Sequence, residues 1–171
     1  MRKIVLTIAC SLDGYIARED GSIDWLPTGD DDFGMKIFLD SVDTILLGKT
    51  TYEQILTFDC DYPYASKKSY VFSRNSKNES KNNVEFVSDL ETFVEDLLNS
   101  PGKNIWLIGG GRLIASFLKE DLIDEIVLSY LPIVIGTGIS LFQHIDKDIK
   151  FDILETIEHE GLTQMRLTKH A

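Results

Sequence analysis

Apolar residues along the chain fall into short runs separated by sets at helical spacing, and the two periods take turns. The runs predict strands over about 3–11, 42–47, 68–73, 84–87, 104–109 and 123–135. Between them the 3.6-residue period predicts helices over about 31–41, 49–57, 89–99 and 111–119. Strands that alternate with helices imply a mixed, mostly parallel sheet covered by helices on both faces, a three-layer α/β arrangement. The clearest helix start is Ser88-Asp89-Leu90-Glu91, which reads as a capping box followed by Leu90, Phe93, Val94, Leu97 and Leu98 on one face. After residue 150 the alternation stops. Residues 151–154 and 162–167 flank Glu160-Gly161, predicting a C-terminal antiparallel hairpin.

Composition narrows the class. The 171 residues carry no Pro/Gly/Ser-rich linker, so one domain over 1–171 is expected. With 43% apolar and 26% charged residues and no 18-residue apolar run, the expected class is soluble and globular, with no membrane partner. Residues 1–10 have two basic residues, an apolar stretch and a cysteine, but Thr7 stands where a lipoprotein signal wants leucine, so they read as a first strand. Cys10 and Cys60 form no motif, which suits a reducing cytoplasm. His144, His159 and His170 stand apart without metal-ligand spacing, so no metal is assigned.

A net charge of -11 argues against a nucleic-acid partner, because a phosphate backbone would be repelled over most of the surface. One segment departs from that balance: residues 66–83 hold Lys67, Lys68, Arg74, Lys77 and Lys81 against the single acid Glu79. Lys77 and Lys81 read as part of a solvated loop, whereas Arg74 directly follows the apolar strand ending at Ser73.

The candidate chemistry sits at strand ends. In Ile105-Trp106-Leu107-Ile108-Gly109-Gly110-Gly111-Arg112-Leu113 an apolar run meets three glycines, then resumes at helical spacing. Bare amides at a helix N-terminus suit a phosphate, and the same pattern also serves as a plain strand-to-helix turn. It is not the fingerprint G-x-G-x-x-G, since position 114 is Ile. Gly48-Lys49-Thr50-Thr51 makes a second such junction. It is only half of a P-loop, because position 43 is Asp where the first glycine belongs, and Thr50 also fits a simple N-cap. With Ser73-Arg74 this gives three junctions expected on one edge of the sheet, where open α/β sheets bind ligands. A pyrophosphate with a separate monophosphate matches them, and NADP has both.

The residues carry a family resemblance. Ser11-Leu12-Asp13-Gly14-Tyr15-Ile16-Ala17, Asp24-Trp25, Leu46-Leu47-Gly48-Lys49-Thr50-Thr51-Tyr52-Glu53, Ile108-Gly109-Gly110-Gly111-Arg112-Leu113, and Leu131-Pro132 with Gly136-Thr137-Gly138 resemble, in order and spacing, the dihydrofolate reductase-like superfamily. Within it the chain is most similar to the reductase domain of bacterial riboflavin-biosynthesis deaminase/reductase proteins and their stand-alone relatives. The resemblance implies NADPH as cofactor. Lys49, Thr50 and Thr51 would serve phosphate, Ser73 and Arg74 the 2'-phosphate, and Gly109, Gly110, Gly111, Arg112 and Leu113 the pyrophosphate. Ala9 and Ile16 would offer backbone to the nicotinamide carboxamide.

On the substrate side the resemblance points to Trp25 and to the acidic run Asp30-Asp31-Asp32, with Asp32 as the matching carboxylate and Asp31 beside it. Three acids at a helix start are also favoured by the dipole alone. A carboxylate so stabilised accepts N-H groups well and donates protons poorly, so Asp32 is assigned to orienting substrate and to proton supply through water. The riboflavin-type reductases suggest instead an acid near Asp59 or Asp61. The implied reaction is NADPH-dependent reduction of a small heterocycle, as in 5-amino-6-(5-phosphoribosylamino)uracil reduction. Dihydrofolate reduction and a nucleotide-binding module without turnover are the alternatives. The long apolar run over 126–135, with the dimers common among such relatives, leads to the expectation of a homodimer, although a strand buried on both faces would look the same.

Overall fold

The computed structural model describes residues 1–29, 31–74 and 83–170. The first apolar run forms β1 (Ile4–Ser11), which lies inside the main sheet. The sheet then grows outward through β3 (Val42–Gly48), β4 (Lys68–Phe72) and β5 (Val84–Val87). The chain returns through β6 (Asn104–Gly109), between β3 and β1, and crosses to β7 (Glu125–Leu131) on the far side of β1. These six strands pair in parallel. The hairpin of β9 (Phe151–His159) and β10 (Leu162–Lys169) closes the sheet antiparallel to β7, giving the order β5-β4-β3-β6-β1-β7-β10-β9. This is the dihydrofolate reductase-like α/β architecture, with its mixed, mostly parallel sheet.

Continuous apolar runs form these strands because both faces are covered. On one face Leu46, Ile105 and Leu107 pack with Val94 and Leu97 of α3 (Leu90–Asn99) and with Ile114, Phe117 and Leu118 of α4 (Gly111–Lys119). On the other, their neighbours Ile45, Leu47 and Trp106 meet Phe38 of α1 (Met35–Ser41) and Ile55 of α2 (Lys49–Ile55). The period of two along each strand thus sorts residues between two cores. Of the 126–135 run, Ile126 and Leu128 enter the first core, and β7 ends at Leu131, before Pro132.

Three local expectations shift. The first helix begins at Met35, not near 31, because Phe33 (φ 48°) and Gly34 (φ 78°) take left-handed backbone and make a turn there. The second shift is at α3, whose N-cap is Asp89, without a side-chain cap bond, so the box centred on Ser88 does not form. Third, the sequence pattern missed a second sheet of β2 (Tyr15–Ala17) and β8 (Ile139–Ser140), pieces too short to show a period. No helix among the described residues is long and apolar enough to cross a membrane.

Phe117 is fully buried where α4 meets the sheet. Phe117→Ala should destabilise the protein by about 3–5 kcal/mol in urea unfolding, the usual cost of truncating a buried aromatic. A loss below about 1 kcal/mol would show that α4 is not seated on the sheet as described.

Candidate functional site

Parallel pairing brings the C-terminal ends of β4, β3, β6, β1 and β7 to one edge, in that order. From β3 the chain enters α2 on one face and continues outward. From β6 it enters α4 on the opposite face and crosses back over β1. The two helices therefore leave a crevice between β3 and β6, the switch point at which such sheets take ligands.

The glycines set the width of that crevice. Leu47 is in register with Gly109, and a Cβ on Gly48 would stand 3.7 Å from Gly109 O and 3.8 Å from Gly110 N. Gly109 has φ 114°, which side chains other than hydrogen rarely adopt. At Gly111 a Cβ would lie 2.9 Å from the Ser140 carbonyl and 2.3 Å from Gln143 Nε2. Gly110 differs, since a Cβ there would meet only Thr51 Oγ1, at 3.3 Å. The position a Cβ would take there faces the start of α2 closely enough that Thr51 would have to give way, so the two strand-to-helix junctions adjoin one another. Neither helix start carries a side-chain cap bond. Gly48, and not Thr50, holds the N-cap position of α2.

Around this crevice the other expected residues take distinct places. Thr50 and Arg112 are exposed, Thr51 and Leu113 half-buried, and Lys49 Nζ lies 3.7 Å from Glu53 one turn on. Ser73 and Arg74 follow β4, one strand beyond β3, with the Ser73 amide donating to Val87 O (2.9 Å) and Arg74 exposed. Lys77, Lys81 and Asp30 lie outside the described residues. Ala9, on β1, packs against the Trp25 cluster, whereas Ile16, on β2, leans on the α4-side core.

A feature of the first loop escaped the sequence reading. Asp13 Oδ1 accepts the Ser11 hydroxyl (2.6 Å) and the Ile135 amide (3.2 Å), and Oδ2 accepts the Gly136 amide (2.8 Å). Ser11 Oγ in turn accepts the Tyr15 amide at 3.0 Å. The Ser-Leu-Asp-Gly and Gly-Thr-Gly motifs are therefore two halves of one clamp, which sets β2 against β8. Gly138 passes so close to β2 that a Cβ would be 2.3 Å from Ala17 O. Ser140 of β8 rests on Gly111, so the clamp also packs on the start of α4. The local signal was the spacing Ser11-x-Asp13, typical of side chains that bond their own turn.

Of the residues expected to meet substrate, Trp25 is buried with Leu131 and Leu162, and Ala9, Leu26, Phe33, Ile133 and Ile135 pack around them. Asp31 and Asp32 are exposed and bond their own turn. Asp31 Oδ1 accepts the Phe33 amide (2.8 Å), and Asp32 accepts those of Gly34 (3.0 Å) and Lys36 (3.1 Å). Asp59 and Asp61 are exposed after α2. Asp24 is held by Arg18 (2.6 Å and 3.2 Å). Burial pushes the Cys10 thiol up to about 11, so it stays neutral in the core.

Residues 2–164 match the family described as the RibD C-terminal domain. A Shewanella sp. PV-4 protein, assigned provisionally by its name to riboflavin biosynthesis, superposes with TM-score 0.90 at 32% identity over 99% of both chains. The Thermotoga maritima diaminohydroxyphosphoribosylaminopyrimidine deaminase/5-amino-6-(5-phosphoribosylamino)uracil reductase aligns with TM-score 0.77 at 17% identity, covering 99% of this chain and 57% of its own. Dihydrofolate reductase from Enterococcus faecalis, solved with NADP(H) and RAB-propyl, shares the fold at TM-score 0.71 and 14% identity, over 99% and 97% of the chains.

The Ser11 hydroxyl, with lesser help from the Gly136 and Ile135 amides, outweighs the opposing effect of desolvation and holds the Asp13 carboxyl below the usual aspartate range. A carboxylate lowered in the folded state stabilises it above the unfolded pKa, an effect lost as pH falls through the folded value. The clamp should therefore persist from alkaline pH down to about 4 and release below that. Hydrogen-exchange protection of the Ile135 and Gly136 amides reports it, and Asp13→Asn should lower that protection at neutral pH. Equal protection in parent and variant would remove Asp13 from the clamp.

Proposed function

Because the chain belongs to the RibD C-terminal domain family, we propose that it is an NADPH-dependent reductase of a small heterocycle, of the 5-amino-6-(5-phosphoribosylamino)uracil type. The crevice between Gly48 and Gly110 carries this reading. Two helix starts without side-chain caps face one space there, and a single Cβ on Gly110 would project into it. Backbone amides and positive dipole ends suit a pyrophosphate.

In this reading Lys49, Thr50 and Thr51 meet phosphate from the α2 side, and Gly109, Gly110, Gly111, Arg112 and Leu113 from the α4 side. Ser73 and Arg74, about two strand spacings from β6, take the 2'-phosphate. The backbone at Ala9 and Ile16 orients the carboxamide. NADPH supplies the hydride when bound, and the chain's own work is to position, exclude water and manage charge. The apolar surface of Trp25, Phe33 and Leu131 keeps water from the reacting ring. Asp32, whose carboxylate already holds the turn after Phe33, orients the substrate with Asp31 beside it and supplies the proton through water. One domain over 1–171 suffices for these roles.

A homodimer belongs to the same proposal. Core packing of Ile126 and Leu128 accounts for part of the apolar run that suggested it. Val134 of that run is exposed, and the outermost strand adds a second exposed apolar group at Ile153, Leu154 and Ile157.

NADPH oxidation, followed at its absorbance band across pyrimidine and pteridine substrates, tests the reaction. Turnover with 5-amino-6-(5-phosphoribosylamino)uracil above that with dihydrofolate is expected, and none with either would leave the module without turnover. Gly110→Val should abolish NADPH binding while keeping near-native far-UV circular dichroism. Retained affinity would make the glycine turn purely structural. Arg74→Ala should weaken NADPH by about 1.5–3 kcal/mol and barely change NADH. Equal losses in titration calorimetry would take Arg74 out of the 2'-phosphate site.

A further inference from the structure

Buried polar atoms in folded proteins nearly always find a hydrogen-bond partner, so those that do not call for a reason. Trp25 Nε1, His159 Nε2 and Thr7 Oγ1 are buried without one among the described residues. The first two meet in one cluster, and the third lies two residues along β1 from it. Trp25 is 8% exposed and packs with Leu131 and Leu162, with Ala9 and Phe33 against them. His159 meets the Phe33 ring edge to face at 5.3 Å and sits opposite Leu162 across the hairpin. Thr7 precedes Ala9 by two residues on β1 and so shares its face of the sheet. The other tryptophan, Trp106, is partnered, giving its Nε1 hydrogen to Thr7 O at 3.4 Å.

An apolar floor with a few convergent polar atoms is the usual make-up of a small-molecule site. This one is assembled from β1, the segment before α1, the end of β7 and the tip of the hairpin. It lies across β1 from the glycine crevice, at the same edge of the sheet.

We propose that His159, together with Trp25, hydrogen-bonds the polar rim of the heterocycle to be reduced. This rests on the reductase reading above and names the substrate contacts of that site. An indole N-H can only donate, whereas an imidazole nitrogen donates or accepts according to its tautomer. The ligand that satisfies both is a flat ring with a carbonyl for Trp25 and an N-H or second carbonyl for His159, the pattern of a uracil. Ala9, Phe33 and Leu131 offer its faces apolar contact.

The test uses 5,6-diaminouracil as a probe of the ring alone. The chain has two tryptophans, so the 15N-labelled protein gives two indole signals, assigned with Trp25→Phe. Titration in the presence of NADPH should move the Trp25 signal and leave that of Trp106 in place. His159→Leu should weaken the probe about fivefold or more, the worth of one hydrogen bond. It should leave NADPH affinity unchanged, and any shift of the unfolding midpoint reports the lost ring contact with Phe33 and not the nitrogen. His159→Gln, which keeps a donor and an acceptor, should restore part of the loss. An unmoved Trp25 signal at saturating probe, or full probe affinity in His159→Leu, would overturn the proposal. A moved signal without NADPH oxidation on any substrate would keep this seat and defeat the reductase reading. Oxidation with an unmoved signal would do the reverse.

Discussion

The close approach of the chain at the ends of β3 and β6 is the constraint on which the site depends. Leu47 and Gly109 are in register, and the backbones of Gly109 and Gly110 lie within van der Waals reach of a Cβ added at Gly48. From that point the two helices diverge to opposite faces, so both N-termini border one gap. Each carries roughly half a positive charge from its dipole. Two like partial charges held together favour an anion between them, even in a chain of net charge -11.

A second constraint holds the loops around it. Asp13 gathers the amides of Ile135 and Gly136 and the hydroxyl of Ser11, drawing β8 onto β2. Gly138 and Gly111 lack side chains at the two places where this assembly touches backbone, against Ala17 and against Ser140. Elsewhere the sheet is tied by charge across its strands. Glu125 is buried between Lys3 and Arg166, whose hydrogen bonds outweigh the desolvation that would otherwise raise its pKa. β1 stands between the glycine crevice and the Trp25 cluster, so one strand separates the two halves of the proposed site.

Much of this was legible in the residues, for local reasons. The run Ile45-Leu46-Leu47, closed by Gly48, reads as a strand covered on both sides, and its residues do divide between two cores. The glycines at 48 and 109–111 announced their junctions because a strand that stops at glycine and resumes at helical spacing has few other conformations open to it. The misreadings were also local. Asp31 and Asp32 satisfy the turn at Phe33 with their own carboxylates, which delays α1 to Met35. Asp89 takes the cap that Ser88 was expected to hold.

Element type, order and the chemistry at each strand end were thus written in windows of a few residues, where steric preference and hydrophobic period act. Convergence was not. Asp13 finds its amides more than a hundred residues away, and β2 and β8 are too short to have a period, existing only because they pair with each other. His159 belongs to no motif, and nothing near it in the chain distinguishes it from a surface histidine. Only the hairpin's return along β7 carries it to Phe33 and the Trp25 cluster. Contacts between distant segments depend on how the sheet is ordered, and strand order is a property of the packed whole that no local pattern contains.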